Sequence, residues 1–131
     1  MEVALVYLGF KARTEQEVRQ KLKGRSFGAI DIDETLRKLK EWKYVDDAEF
    51  AKNFVRSRSL ARPQSQRSLA FELKKKGLKT SVVVDDLEMA RAALARKKNK
   101  TPEQQVRFLA SRGFSWSTIE KIVKKEYNRG Y

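Results

Sequence analysis

The chain has 131 residues, 40% of them hydrophobic, which permits a modest core in one compact domain or in a short run of small modules. Thirty Lys and Arg against seventeen Asp and Glu give a net charge of +13, which points to a polyanionic partner: nucleic acid, an acidic protein or an anionic membrane. The lack of any cysteine or histidine excludes disulfides, thiol nucleophiles, zinc sites of the usual kind and imidazole acid–base chemistry.

The opening, Met1 to Phe10, is apolar with an acid at position two and no charged leader, so it predicts a helix rather than a signal peptide. No apolar run nears the ~20 residues of a membrane span, and a soluble, cytoplasmic protein is expected. Ala4, Leu5 and Leu8 make a short apolar face. Thr14-Glu15-Gln16-Glu17 is a capping box ahead of a helix with Val18 and Leu22 inward, and Phe27-Gly28 marks its turn. Asp31-Ile32-Asp33-Glu34 offers a further capping box, with Ile32, Leu36, Leu39 and Trp42 lining the helix that follows. Asp46 and Glu49 open the next helix, whose Phe50 and Phe54 share one face and leave Lys52, Arg56 and Arg58 outward. After Pro63 comes a helix with Leu69 and Leu73 inward, stopped by Gly77. Val82-Val83-Val84 is β-branched, but its position between Thr80-Ser81 and Asp85-Asp86 favours a short helix, with an alanine-rich helix continuing to Lys98. Thr101, Pro102 and Gln104 start another helix, Arg112-Gly113-Phe114 ends it, and Ser117 with Glu120 opens the last one.

One phrase recurs along this order. Thr14, Val18, Leu22 and Phe27 are matched by Ser65, Leu69, Leu73 and Leu78, and again by Thr101, Gln105, Leu109 and Phe114, at offsets of 51 and 36 residues. Beyond it, Ile32 and Leu36 correspond to Val83 and Leu87 and to Ile119 and Val123; upstream, Ala4/Leu8, Ala51/Phe54 and Ala90/Leu94 correspond. The pattern predicts an all-α chain of three tandem three-helix repeats, residues 1–43, 44–88 and 89–131, in an elongated, curved modular array.

The cations are unevenly spread. Residues 1–65 carry fourteen Lys and Arg against ten acids, and residues 66–131 carry sixteen against seven. Arg56, Arg58, Arg62 and Arg67 lie around the central turn, where guanidinium forks suit phosphates or carboxylates; Lys74, Lys75, Lys76, Lys97, Lys98 and Arg112 complete the candidate partner-binding set. The Asp46-Asp47 and Asp85-Asp86 pairs sit at helix starts, where capping and dipole compensation account for them better than catalysis. Trp42, Phe50, Phe54, Phe108 and Phe114 fall at core spacing and read as packing residues. No catalytic residue, cofactor site or metal site is assigned, and the glycines at 24, 28, 77 and 113 read as helix punctuation rather than a phosphate loop.

Tyr44-Val45-Asp46-Asp47-Ala48-Glu49-Phe50-Ala51, Arg56-Ser57-Arg58, Glu72-Leu73-Lys74-Lys75-Lys76-Gly77-Leu78 and Phe108-Leu109-Ala110-Ser111-Arg112-Gly113-Phe114 resemble, in this order, the signature phrases of the RecX family, regulators of the RecA recombinase. Arg13 to Leu22 is similar to that family's first repeat, so the likeness covers almost the whole chain. Two positions depart from the pattern: Ala61-Arg62-Pro63 replaces a common glycine-proline turn, and Arg25-Ser26-Phe27 lacks the glycine present at Gly77 and Gly113. The resemblance implies a monomeric protein that lies in the groove of a RecA filament on single-stranded DNA and opposes its growth. ATP hydrolysis, strand exchange and co-protease activity would fall with it, which ties the chain to recombination, DNA repair and the SOS response. The alternative is an independent DNA-binding protein that reads duplex DNA through a helix-turn-helix-like unit.

Overall fold

A computed structural model describes the backbone of residues 1–97 and 100–129, and the side chains of those stretches up to residue 123. Among the described residues it forms eight α-helices and no strand: α1 (Glu2–Leu8), α2 (Glu15–Gly24), α3 (Ala29–Glu41), α4 (Asp47–Ala61), α5 (Gln66–Lys75), α6 (Asp86–Ala95), α7 (Pro102–Ser111) and α8 (Trp116–Arg129). None of them is long and apolar enough to cross a membrane.

The recurrent phrase is a helix with the same two ends each time. At the start of α2, α5 and α7 the hydroxyls of Thr14, Ser65 and Thr101 accept hydrogen bonds from the backbone N–H three residues on, at 3.2, 3.0 and 3.3 Å. In α2 and α7 the side chains of Glu17 and Gln104 return the bond to the cap's own N–H. At the far end, the N–H groups of Phe27, Leu78 and Phe114 reach back to the carbonyls of Leu22, Leu73 and Leu109 at 3.2, 3.0 and 3.2 Å. Each of these Schellman turns needs a left-handed residue, supplied by Ser26 (φ 68°), Gly77 (φ 88°) and Gly113 (φ 86°). Serine thus makes the turn that the later copies make with glycine, at the expense of a Cβ in the left-handed region.

The chain divides into two compact units, Met1–Asn53 with Leu73–Thr80, and Phe54–Glu72 with Ser81–Tyr131; the division falls inside α4 and α5. In the first, α2 packs on α1 and α3 over a core of Ala4, Val18, Leu22, Ile32, Leu36, Leu39 and Val45. In the second, α6, α7 and α8 pack together, and Leu69, Val82, Met89, Ala90, Ala93, Leu109, Phe114, Ile119, Ile122 and Val123 are buried.

Each unit also contains one joint between a recurrent helix and segments that follow it in the chain. In the first unit the buried Thr14 hydroxyl donates to the Lys76 carbonyl at 2.8 Å, and the Glu15 N–H donates to the Asp47 carboxylate at 2.9 Å. In the second the Ser65 N–H donates to the Arg112 carbonyl at 3.1 Å, and the Gln66 N–H donates to the Asp86 carboxylate at 2.8 Å. Both joints press a glycine against the incoming helix: a Cβ on Gly77 would lie 2.6 Å from Gln16 Cβ, and one on Gly113 would lie 2.8 Å from Ser68 Cβ. The two aspartate pairs divide their labour in the same way. Asp46 and Asp85 accept N–H bonds from their own helices, whereas Asp47 and Asp86 satisfy the first N–H of α2 and α5.

Several sequence-based expectations are corrected. Val82 to Val84 form no helix: Val82 is buried, Val83 is 87% exposed, and the Val84 N–H donates to Gln66 Oε1 at 3.1 Å, so this stretch runs as irregular chain until Asp85 caps α6. Val83 is therefore no counterpart of the buried Ile32. α3 starts three residues earlier than Asp31 would place it, from Gly28, leaving Asp31 in the first turn beside the helix dipole. The cap of α8 is Ser115, whose Oγ accepts from the Thr118 N–H at 3.3 Å, rather than Ser117. Trp42 ends α3 as an exposed residue, 52% accessible, because the helix stops there and Lys43 turns left-handed.

Candidate functional site

Ion pairing separates the cations into those with an acidic partner among the described residues and those for which the ion pairs show none. In the first unit Arg19 bridges Glu15 and Asp33, Arg37 meets Glu41, Lys38 meets Glu34 and Lys40 meets Glu15. The hydrogen bond to Asp33, opposed by partial desolvation, raises the Arg19 pKa above its ordinary value.

The sequence-predicted contact residues fall into both groups. Lys76 is half-buried, 3.5 Å from the Glu17 carboxylate, with its ammonium over the Phe50 ring. Arg58 does not point freely outward: its Nε lies 3.3 Å from Glu72, and the guanidinium covers the Phe54 ring at 5.1 Å. Arg56 and Arg67 are exposed on α4 and α5 and pair with no described acid; Lys74 and Lys75 are exposed at the end of α5. Lys98 lies outside the described residues. The four central arginines therefore form no single cluster.

Two of the predicted cations, Lys97 and Arg112, do come together with Lys100 around the ring of Phe108 in α7. Lys97 Nζ lies 5.8 Å from the ring centroid, Lys100 Nζ 5.6 Å and the Arg112 guanidinium carbon 5.0 Å. Helix geometry explains the meeting. Phe108 and Arg112 are four residues apart and share a face, and Lys100 stands directly before the Thr101 cap of the same helix. Arg62 directly follows α4, three residues before the Ser65 cap whose N–H donates to the Arg112 carbonyl. The Arg96 guanidinium donates to the Ala61 carbonyl at 2.6 Å and to the Leu60 carbonyl, tying the end of α6 to the end of α4. Burial pushes the Arg112 pKa below its ordinary value, and the positive charge of Arg62 pushes it in the same direction. None of Arg62, Lys97, Lys100 and Arg112 forms an ion pair with a described acid.

Such an arrangement can hold an anion but offers no nucleophile or general base to act on it. Among the described residues no group of three or more acidic side chains is placed to hold a metal ion. Sequence reasoning included Arg62, Lys97 and Arg112 but treated Phe108 only as packing and left Lys100 outside the set. The four-residue spacing of Phe108 and Arg112 was the available signal. The exposed rings of Trp42 and Tyr44, 6.4 Å apart edge to face, and Trp116, 64% exposed, are further surface aromatics, of which spacing alone assigns Trp42 to the core.

Comparison with known proteins places the chain among helical regulators. Residues 1–39 match the family described as RecX, first three-helix domain, and residues 46–83 match RecX, second three-helix domain. The regulatory protein RecX of Prosthecochloris aestuarii is 31% identical over 133 residues, spanning 92% of this chain and 88% of that protein. That of Bacillus pumilus is 32% identical over 142 residues, spanning 95% of this chain and 54% of the relative. The crystal structure of RecX from Lactobacillus salivarius shares the fold with a TM-score of 0.70 at 22% identity, over 95% of this chain and 92% of that one.

Proposed function

The chain belongs to the RecX family, and from that premise we propose that it regulates the RecA recombinase by binding its filament on single-stranded DNA and opposing filament growth. Recombinase, ATPase and co-protease activities of the filament fall as a consequence; the protein itself performs no catalysis. The observation that carries this reading is the ordered match to both RecX domains, alongside relatives whose shared name is regulatory protein. The net charge of +13 supports it, since a filament on DNA is a polyanionic target.

In this proposal the chain is read as three repeats, 1–43, 44–88 and 89–131, acting as a monomer in the cytoplasm. Arg56, Arg62, Arg67, Lys74, Lys75, Lys97 and Arg112 are the contact residues proposed, together with Lys98, which lies outside the described residues; Arg58 and Lys76 are set aside because they already have acidic partners within the fold. ATP hydrolysis by the cognate RecA on single-stranded DNA, titrated with this protein at two salt concentrations, tests the reading. Inhibition at substoichiometric amounts, weakened by salt, is expected. No inhibition at any ratio together with tight duplex binding would replace it by an independent helix-turn-helix-like DNA-binding protein.

A further inference from the structure

Lys76 and Arg112 occupy the same place in the recurrent phrase, each directly before the left-handed glycine and each lending its carbonyl to the cap of another helix. Their charges meet different fates. Three residues after the cap Thr14 stands Glu17, which takes the Lys76 ammonium at 3.5 Å. Three residues after the cap Ser65 stands Ser68, whose Oγ donates to Gln64 Oε1 at 2.6 Å and which carries no charge for Arg112. The second joint has thus exchanged the neutralising acid for a hydroxyl, kept the cation half-buried, and placed Arg62 three residues before the Ser65 cap that holds the Arg112 carbonyl at 3.1 Å. Lys97 and Lys100 add two ammonium groups about the same Phe108 ring. Four cations held together without a described acid raise one another's electrostatic energy unless an external anion screens them.

We propose that Arg62 and Arg112, with Lys97 and Lys100 against the Phe108 ring, form a site for the phosphate groups of a nucleic-acid strand. Two guanidinium forks and two ammonium groups present more donors than one carboxylate can accept, whereas successive phosphodiesters offer two outward oxygens each to separate forks. The backbone, not the base, is the group recognised: the Phe108 ring is taken up by the cations and is not offered as a stacking surface. The site rests on the filament reading only for the single-stranded character of its ligand.

The test is binding of a labelled oligo(dT) strand, without any recombinase, by the full chain across a series of salt concentrations. Arg62→Gln and Arg112→Gln should each weaken binding and flatten the slope of log affinity against log salt by about 0.7, the share of one phosphate contact on a single strand. Ser68→Glu should do the same while removing no cation, because it restores the acid that the first joint has; since the Ser65 N–H already donates to the Arg112 carbonyl, the new carboxylate is left to the guanidinium, and a thermal melt checks that the variant stays folded. Arg37→Gln, which removes a cation already paired with Glu41, should change the slope little. Slopes equal to that of the unmodified chain in Arg62→Gln, Arg112→Gln and Ser68→Glu would overturn the site, as would absence of oligonucleotide binding by the unmodified chain. Unchanged slopes with lost inhibition of RecA would assign the cations to an acidic protein surface instead, also overturning the phosphate assignment. Flattened slopes in a protein that leaves RecA ATP hydrolysis untouched would keep the site and sink the filament reading.

Discussion

The joint around Gly77 and the joint around Gly113 use the same backbone chemistry and opposite electrostatics. Each caps a helix with a hydroxyl residue, satisfies that helix's first N–H with an aspartate and brings a side-chain-free turn against it. Around Gly77 the local cation is paired with Glu17; around Gly113 it has no ion pair with a described acid. Geometry that must be kept for packing is repeated, whereas a charge that packing does not need is free to diverge between copies. The surviving positive charge therefore marks where a ligand can contribute.

The comparison breaks first at the glycines. Gly77→Ala and Gly113→Ala each place a Cβ in a left-handed residue and into contact closer than 3 Å with the neighbouring helix. Each should destabilise by about 2–4 kcal/mol, combining backbone strain with overpacking; chemical denaturation of the two variants measures it. A small effect at one glycine alone would show that its joint is loose.

Removal of the bridging acid is the next test. Asp47→Ala and Asp86→Ala leave the Glu15 and Gln66 N–H groups without their carboxylate acceptors, and similar losses of about 1–2 kcal/mol are expected for both. Urea midpoints that differ widely between the pair would refute their equivalence.

Glu17→Gln turns the first joint into an electrostatic copy of the second. Because the Glu17–Lys76 pair is partly exposed, and glutamine can still serve the capping box, stability should drop by less than about 1 kcal/mol. The freed Lys76 should steepen the salt dependence of oligonucleotide binding, the reverse of the Ser68→Glu effect. Salt dependence unchanged in Glu17→Gln would mean that position, and not pairing, decides which cation is used.

Ser26→Gly carries the smallest expected effect. It relieves the left-handed serine without a described steric conflict and should raise stability by about 0.5 kcal/mol, read as a small increase in melting temperature. A decrease would indicate that the Ser26 side chain contributes something the turn geometry does not reveal.

Much of this fold was legible in the chain itself because its signals are local. A hydroxyl residue, apolar positions at helical spacing and a stop signal are read within one helix, and the three recurrent helices, with Val18, Leu22, Leu69, Leu73 and Leu109 buried, followed from them. The family was equally legible, through the order of its phrases. Local signals failed where two starts competed, as at Gly28 against Asp31 and Ser115 against Ser117, and where β-branched Val82 to Val84 were given a helix they do not form. They also could not say which cations were free. Arg58 and Lys76 look like Arg62 and Arg112 in a sequence, and only tertiary structure set Glu72 beside the first and Glu17 beside the second. Covalent order determined the helices and the total charge; the pairing of residues as distant as Glu17 and Lys76 determined how much of that charge remains to bind, because electrostatic attraction depends on distance in space and not on position along the chain.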